Sequence, residues 1–238
     1  MSICMDLHTH TLVCGHGYST LQENIEAAQR MGLRYLGLSE HAPAMPGSTP
    51  PFFFGNYKCI PRQYGDLTLL CGAEANILDY EGKLDLDDAI LSRLEYVIAS
   101  MHIPCVQPGT MEENTNACIK AMQNPYVKIL GHPDDSRYPL DYEKVVSAAA
   151  DEGVLLELNN SSLNPNSVRQ GARENAKRML ELCREKEVSV LLGSDSHISY
   201  TIGRFDLALE LLEEVQFPEE LVLNYHPERI GQILNNPQ

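Results

Sequence analysis

The alternation of short, nearly continuous apolar runs with helix-period segments constrains this chain more than any other feature. Seven such runs occur: Ile3 to Leu7, Tyr35 to Ser39, Leu67 to Ala73, Tyr96 to Met101, Val127 to Gly131, Val154 to Leu158 and Val188 to Ser194. A strand with one wet face alternates apolar and polar residues, whereas a strand covered on both faces does not, so these runs predict buried parallel strands. Helix signals fill the gaps. Thr20 with Glu23 forms a capping pair, Leu21, Ile25, Ala28 and Met31 share one face, and Gly32 supplies a stop. Comparable patterns cover Asp85 to Leu94, Glu112 to Met122, Asp141 to Glu152, Gly171 to Lys186 and Arg204 to Val215. Seven strands in 238 residues leave 34 per unit, enough for a strand, a crossover helix and two loops. The expectation is an α/β chain folded as a parallel, TIM-barrel-like barrel. A doubly wound open sheet gives the same alternation, but no Gly-x-Gly-x-x-Gly follows the first strand to support its dinucleotide-binding form.

With 43% hydrophobic and 21% charged residues the chain can bury a sizeable core, and residues 1–238 read as a single domain. Its formal net charge of −15 repels nucleic-acid backbone and anionic membrane, which disfavours an extended nucleic-acid groove or membrane binding. Neither a secretory leader nor an apolar stretch of membrane-spanning length is present, and a cytoplasmic location is expected. Seven irregularly spaced cysteines without a Cys-x-x-Cys pair fit neither a disulfide framework nor a thiolate zinc knuckle. Ala42 to Asp66 carries five prolines and Phe52-Phe53-Phe54; a connection this long is either a lid over a site or a packed excursion.

The chemistry lies where the strands stop. His8 and His10 close the first, His41 the second, Glu74 the third, His102 the fourth, His132 the fifth, and Asp195 with His197 the seventh; His16 follows in the loop after the first. In a parallel barrel all these ends share the face where active sites sit. Residues two apart in extended chain project to one side, so His8 with His10, and Asp195 with His197, can each aim two ligands into one space. Imidazole with carboxylate suits zinc, manganese or iron, in an open catalytic site rather than a closed structural one. Each residue alone has an ordinary reading: a solvated or packed histidine, a turn at Glu74, a helix cap at Asp195. Those readings would have to hold independently at six strand ends. His226 fits no strand end and reads as a surface or packing residue. Asn159 and Asn160 end the remaining strand, to line the site or shape a turn.

Asp6-Leu7-His8-Thr9-His10, Ser39-Glu40-His41, Gly72-Ala73-Glu74, Met101-His102, Gly131-His132-Pro133 and Gly193-Ser194-Asp195-Ser196-His197 together resemble the motifs of the polymerase and histidinol phosphatase (PHP) family, most closely its YcdX-like phosphatases. The resemblance runs over essentially the whole chain. It implies a distorted seven-stranded (β/α)7 barrel and three divalent ions, zinc first, with manganese or iron as alternatives. By the same resemblance His8, His10, Glu74 and Asp195 hold one ion, Glu74 bridges to a second held by His102 and His132, and His16, His41 and His197 hold a third. Asp6 either orients a ligand histidine or makes a structural hydrogen bond beneath the site. The implied activity is a phosphoesterase cleaving a small phosphate monoester, with a bridging or metal-bound hydroxide at Glu74 and Asp195 as nucleophile. Arg62 and Arg137 are candidate contacts for phosphate charge; Cys14 and Arg204 lie near the motifs without an assigned role. The alternatives are a histidinol-phosphate phosphatase, an amidohydrolase-type metal hydrolase acting on other bonds, and a non-catalytic metal-binding module. The sequence does not specify an oligomeric state.

Overall fold

The computed structural model describes residues 2–235, so residues 1 and 236–238 of the expected domain lie outside the described residues. In chain order the elements are β1 (Met5–Asp6), α1 (Leu21–Arg30), β2 (Tyr35–Leu38), α2 (Pro51–Gly55), β3 (Gln63–Tyr64), β4 (Leu67–Cys71), β5 (Ala73–Asn76), α3 (Asp88–Leu91), β6 (Val97–Ser100), α4 (Met111–Met122), β7 (Val127–Leu130), α5 (Tyr142–Glu152), β8 (Leu155–Asn159), α6 (Ala172–Glu185), β9 (Val190–Gly193) and α7 (Asp206–Glu214). The fold is mixed α/β. One sheet has the order β1-β2-β4-β3, the other β5-β6-β7-β8-β9, and every pairing is parallel except the β3–β4 hairpin.

Two expectations need correction. The run expected as one third strand is cut at Gly72 and β3 adds a short strand before it, so the described residues hold nine strands in two sheets rather than seven in one. At Gly72 the backbone N–H bonds to the Leu38 carbonyl, and a Cβ there would come within 2.6 Å of the Tyr96 ring. The ladder therefore changes partner: β4 pairs with β2, and β5 pairs with β6. The helix expected over Asp85 to Leu94 shortens to α3, because Asp87 caps it through Ile90 N–H while the Asp85 carboxylate is drawn away to Asn76. Elsewhere the expected spans hold to within a few residues, and the Thr20–Glu23 capping box starts α1 as read.

Single backbone pairs span both seams between the sheets. Thr9 pairs in parallel with Ser196, and His41 with Glu74. The first seam is reinforced by His10 N–H to Ser196 O (2.8 Å), the second by Ala42 N–H to Glu74 O (3.0 Å). Both seams fall beside the residues expected to carry the chemistry.

Apart from the short edge strand β3, the strands are largely buried on both faces, and alternate residues enter two separate apolar clusters. Ile98, Ile129, Leu155 and Leu191 join Met5, Leu7 and Leu70, while Val97, Ala99, Leu130, Leu156, Val190 and Leu192 pack with the helices. On β8 the column containing Leu155 continues through Glu157 to Asn159, so one face passes from apolar to polar toward the strand's C-terminal end. Ala42 to Asp66 resolves into a packed excursion: it contains α2 and β3, and buries Phe54 and Tyr57 in the main core, with Phe52 left outside.

Candidate metal centre

All nine expected ligands converge. Glu74, fully buried, is the hub: Oε2 lies 2.7 Å from His41 Nδ1, 3.3 Å from His8 Nε2 and 3.5 Å from His10 Nε2. Its Oε1 lies 2.8 Å from His132 Nε2 and 3.2 Å from His102 Nε2. Asp195 Oδ1 reaches His10 Nε2 at 3.4 Å, and His8 Nε2 and His197 Nδ1 at 3.6 Å. His16, the exposed member, stacks on His41 and His197 with ring centroids 5.0 and 4.6 Å away. Two ligands depart from ordinary strand geometry to face this centre: His132 and Asp195 have φ of 28° and 52°. Such non-glycine conformations are strained and persist where surrounding contacts impose them.

The donor atoms fit divalent ions. His8 Nε2, both ring nitrogens of His10, His102 Nε2, His197 Nε2 and Glu74 Oε2 are buried without a hydrogen-bond partner. Each buried polar atom left unmatched costs about 1–3 kcal/mol, so this many at one point call for a shared cation. Ligands about 2.0–2.2 Å from a common ion stand roughly 3–3.6 Å apart; the separations of 3.2 to 3.6 Å above fall in that range. Three-residue sets whose donor atoms lie within 4.8 Å of one another include His8–His10–Glu74, His41–Glu74–His102 and His16–His41–His197. Charge follows the same logic. Burial opposes ionisation of Glu74, yet His41, His102 and His8 hold its pKa well below the usual carboxylate value. Burial likewise opposes ionisation of Asp195, and His8 and Arg169 outweigh it. Burial, with His41 and His197 beside it, keeps His10 neutral, and burial brings His102 down to about 4. Ionised carboxylates beside the neutral imidazoles of His10 and His102 form a ready donor set, while at His8 burial is outweighed by Glu157, Glu74 and Asp195, which together hold its pKa well above the usual histidine value.

A supporting layer holds these rings. Glu157, fully buried, accepts from His8 Nδ1 at 2.6 Å and from His132 N–H at 2.7 Å. Asn76 Oδ1 accepts from His102 Nδ1 at 2.8 Å, and Asp85 in turn anchors Asn76. Such partners fix the tautomer and aim the other nitrogen at the ion. Gly193 has no side chain because a Cβ there would strike the Glu157 carboxylate. Asp6 accepts the backbone N–H groups of Ser194 (3.2 Å) and Gly203 (2.9 Å), which is the structural one of its two readings. Asn159 donates toward Asp195 Oδ2 (3.3 Å), whereas Asn160 shapes the turn by accepting from Leu207 and Ala208 N–H.

Neither expected arginine is free at the centre. Arg62 is tied to Glu95 at 3.0 Å and to the Tyr57 and Ile60 carbonyls. Since Glu95 lies just before β6 begins, Arg62 belongs to the strand-start side, away from the ligand cluster. Arg137 is clamped by Asp135, with Nη2 to Oδ2 at 2.5 Å. The arginine at the centre is Arg169, which sequence reasoning missed: both terminal nitrogens lie 3.0 Å from Asp195 Oδ2, and one also reaches Asn159 and Ser162. It sits in irregular chain, where no periodicity marks it. Glu157 was also missed, although an acid within Leu155-Leu156-Glu157-Leu158 required a buried partner and was a readable signal. Arg204 bonds to the Tyr200 carbonyl and His226 to Glu228, outside the cluster.

Parallel strands and helices that gather seven histidines and two acids at strand ends define a metal-site α/β protein. The chain belongs to the PHP domain family, whose model matches residues 6–226. A probable phosphatase from Clostridium acetobutylicum is 47% identical over 234 residues, covering 98% of this chain and 95% of that protein. Among solved structures, histidinol phosphate phosphatase from Lactococcus lactis, complexed with zinc, L-histidinol and phosphate, matches with a TM-score of 0.61 at 17% identity, over 91% of this chain and 95% of that one. A chain of archaeal ribonuclease P with mature tRNA matches with a TM-score of 0.60 at 16% identity, over 91% of this chain and 84% of that one. At these identities the two structures speak to the fold alone.

Proposed function

We propose that the chain is a metal-dependent phosphatase that hydrolyses a small phosphate monoester at a centre of three divalent ions, zinc first among them. The observation that carries this reading is the convergence of nine imidazole and carboxylate side chains, of which His8, His10, His41, Glu74, His102 and His197 present buried donor atoms without a hydrogen-bond partner, and the relatives named probable phosphatase support it. His8, His10, Glu74 and Asp195 would hold one ion, Glu74, His102 and His132 a second, and His16, His41 and His197 a third. Bound ions of this kind acidify a water for attack near neutral pH and neutralise phosphate oxygens.

The chain's own groups do the rest. Arg169 presents a guanidinium that Asp195 and Asn159 hold in place, suited to bidentate contact with phosphate oxygens. Glu157 and Asn76 orient His8 and His102 so that neither ring turns away. In this reading the two sheets and their seam pairs form one distorted (β/α)7 barrel, residues 1–238 are one domain, and the protein works in the cytoplasm. No helix among the described residues is long and apolar enough to cross a membrane. The net charge of −15 favours a small substrate over an extended nucleic acid.

The test is metal analysis of the purified protein with assays on a panel of phosphate monoesters, before and after chelation. The expected result is about three ions per chain and hydrolysis lost with them. Fewer than two ions, or hydrolysis indifferent to chelation, overturns the proposal.

A further inference from the structure

Cys14 is fully buried at the end of a short 3₁₀ turn, Leu12–Cys14, two residues before His16. Cys71, Cys118 and Cys183 pack in the main apolar core and Cys4 in the smaller one, as inert buried thiols do; Cys14 belongs to neither cluster. Its neighbours are imidazoles: its sulfur, a ring nitrogen of His10 and a ring nitrogen of His197 all lie within 4.8 Å of one another.

His10 supplies an independent observation. In His8, His16, His102 and His197 the Nδ1 atom meets an oxygen, from Glu157, the Cys14 carbonyl, Asn76 and the Asp195 carbonyl respectively. His10 has no such anchor. Its Nε2 faces Glu74 and Asp195 at 3.5 and 3.4 Å, and both ring nitrogens are fully buried without a hydrogen bond. A bare imidazole nitrogen, a second from His197 and a buried sulfur make a complete three-donor set.

We infer that His10, Cys14 and His197 form an additional site for a thiophilic divalent ion, cadmium or excess zinc, which competes with the resident ions. On binding, a sulfur–metal bond forms and the thiol proton passes to solvent, with no change of oxidation state. The inference rests on the proposed function, because His10 and His197 also serve the resident ions. A soft ion on the sulfur engages both rings, so its occupancy inhibits. Manganese, which prefers oxygen and nitrogen donors, does not use this set.

The test titrates manganese-loaded protein with cadmium chloride while recording thiolate-to-cadmium charge-transfer absorption in the ultraviolet and hydrolysis of a phosphate monoester. In the wild type the absorption rises and activity falls in step. In Cys14→Ser both changes need cadmium concentrations at least about tenfold higher, the lower end of what losing even an outer partner costs a metal site. Cys59→Ser, at an exposed cysteine, behaves as wild type. Identical titrations for wild type and Cys14→Ser, or inhibition without sulfur absorption, overturn the inference. If Cys14→Ser does not fold, the wild type is titrated with isotopically enriched cadmium chloride and read by cadmium NMR, in which a sulfur-bound ion resonates well downfield of one held by nitrogen and oxygen alone. Inhibition by cadmium without a resonance in the sulfur-bound region counts against the site. A protein that binds no divalent ion fails the proposed function itself; one that binds manganese and hydrolyses its substrate, yet shows no sulfur absorption, fails only here.

Discussion

Single residues decide how rigid the centre is. Glu157 carries two acceptor duties at once, toward His8 Nδ1 and His132 N–H. A glutamine keeps the shape but replaces one carboxylate oxygen with a donor, so it cannot serve both. Glu157→Gln should weaken zinc binding by about 10–100-fold in a competition titration while the circular dichroism spectrum stays native. Unchanged affinity would reduce Glu157 to a packing role. In the proposed function Arg169 meets the substrate. Arg169→Lys retains a charge without the planar fork, and kcat/KM for a phosphate monoester should drop on the order of a hundredfold with metal content unchanged; equal kcat/KM in the two proteins would remove Arg169 from substrate contact. The proposed ligands were legible in the sequence because all but His16, which follows in a loop, stand at the end of an apolar run, where topology alone brings them to one face. Arg169 was not, because its place depends on how irregular chain after β8 folds back onto Asp195, which no local period encodes.

Among the elements, the segment from β5 to α3 shows a polar group organising its neighbours. The Asp85 carboxylate accepts from Asn76 N–H (2.8 Å), Asn76 Nδ2 (2.6 Å) and Ala44 N–H (2.8 Å). Burial nevertheless raises its pKa above the usual aspartate value, outweighing those hydrogen bonds. A raised carboxyl pKa means that the folded chain takes up its proton at a higher pH than the unfolded chain does. The wild type should therefore gain stability relative to Asp85→Asn as pH falls through the folded pKa toward the unfolded value near 3.8. Denaturant titrations of both proteins across that window measure the difference, and a slope of opposite sign refutes the role of burial. Helix starts were legible here because capping is local: Thr20 and Glu23 announce α1 three residues apart. The division of β4 from β5 was hidden because it depends on Tyr96, a residue just before β6, standing against Gly72.

For the molecule as a whole, the centre is a cost to the empty fold. Glu74, Asp195, His8 and His10 are all buried together, and ions that bind the folded state alone stabilise it by mass action. Saturating each site a thousandfold above its dissociation constant contributes about 4 kcal/mol per ion. Chelation should therefore lower the unfolding temperature by several degrees or more in differential scanning calorimetry, with recovery on adding zinc. A midpoint indifferent to chelator would mean that the cluster is satisfied without metal. The α/β class was legible from periodicity, since buried parallel strands leave continuous apolar runs. Two sheets meeting through single pairs were not, because Thr9 and Ser196 lie at opposite ends of the sequence and nothing local couples them.

That pairing also sets a timetable during synthesis. Glu74, His102 and His132 emerge from the ribosome in order, but His8 and His10 must wait for Asp195 and His197 at the far end of the chain. At usual elongation rates the delay is roughly ten to forty seconds. The nascent chain therefore carries the first of the proposed ligands incomplete while the strands between them are made, and the ion they would share can be captured only once Asp195 and His197 have emerged.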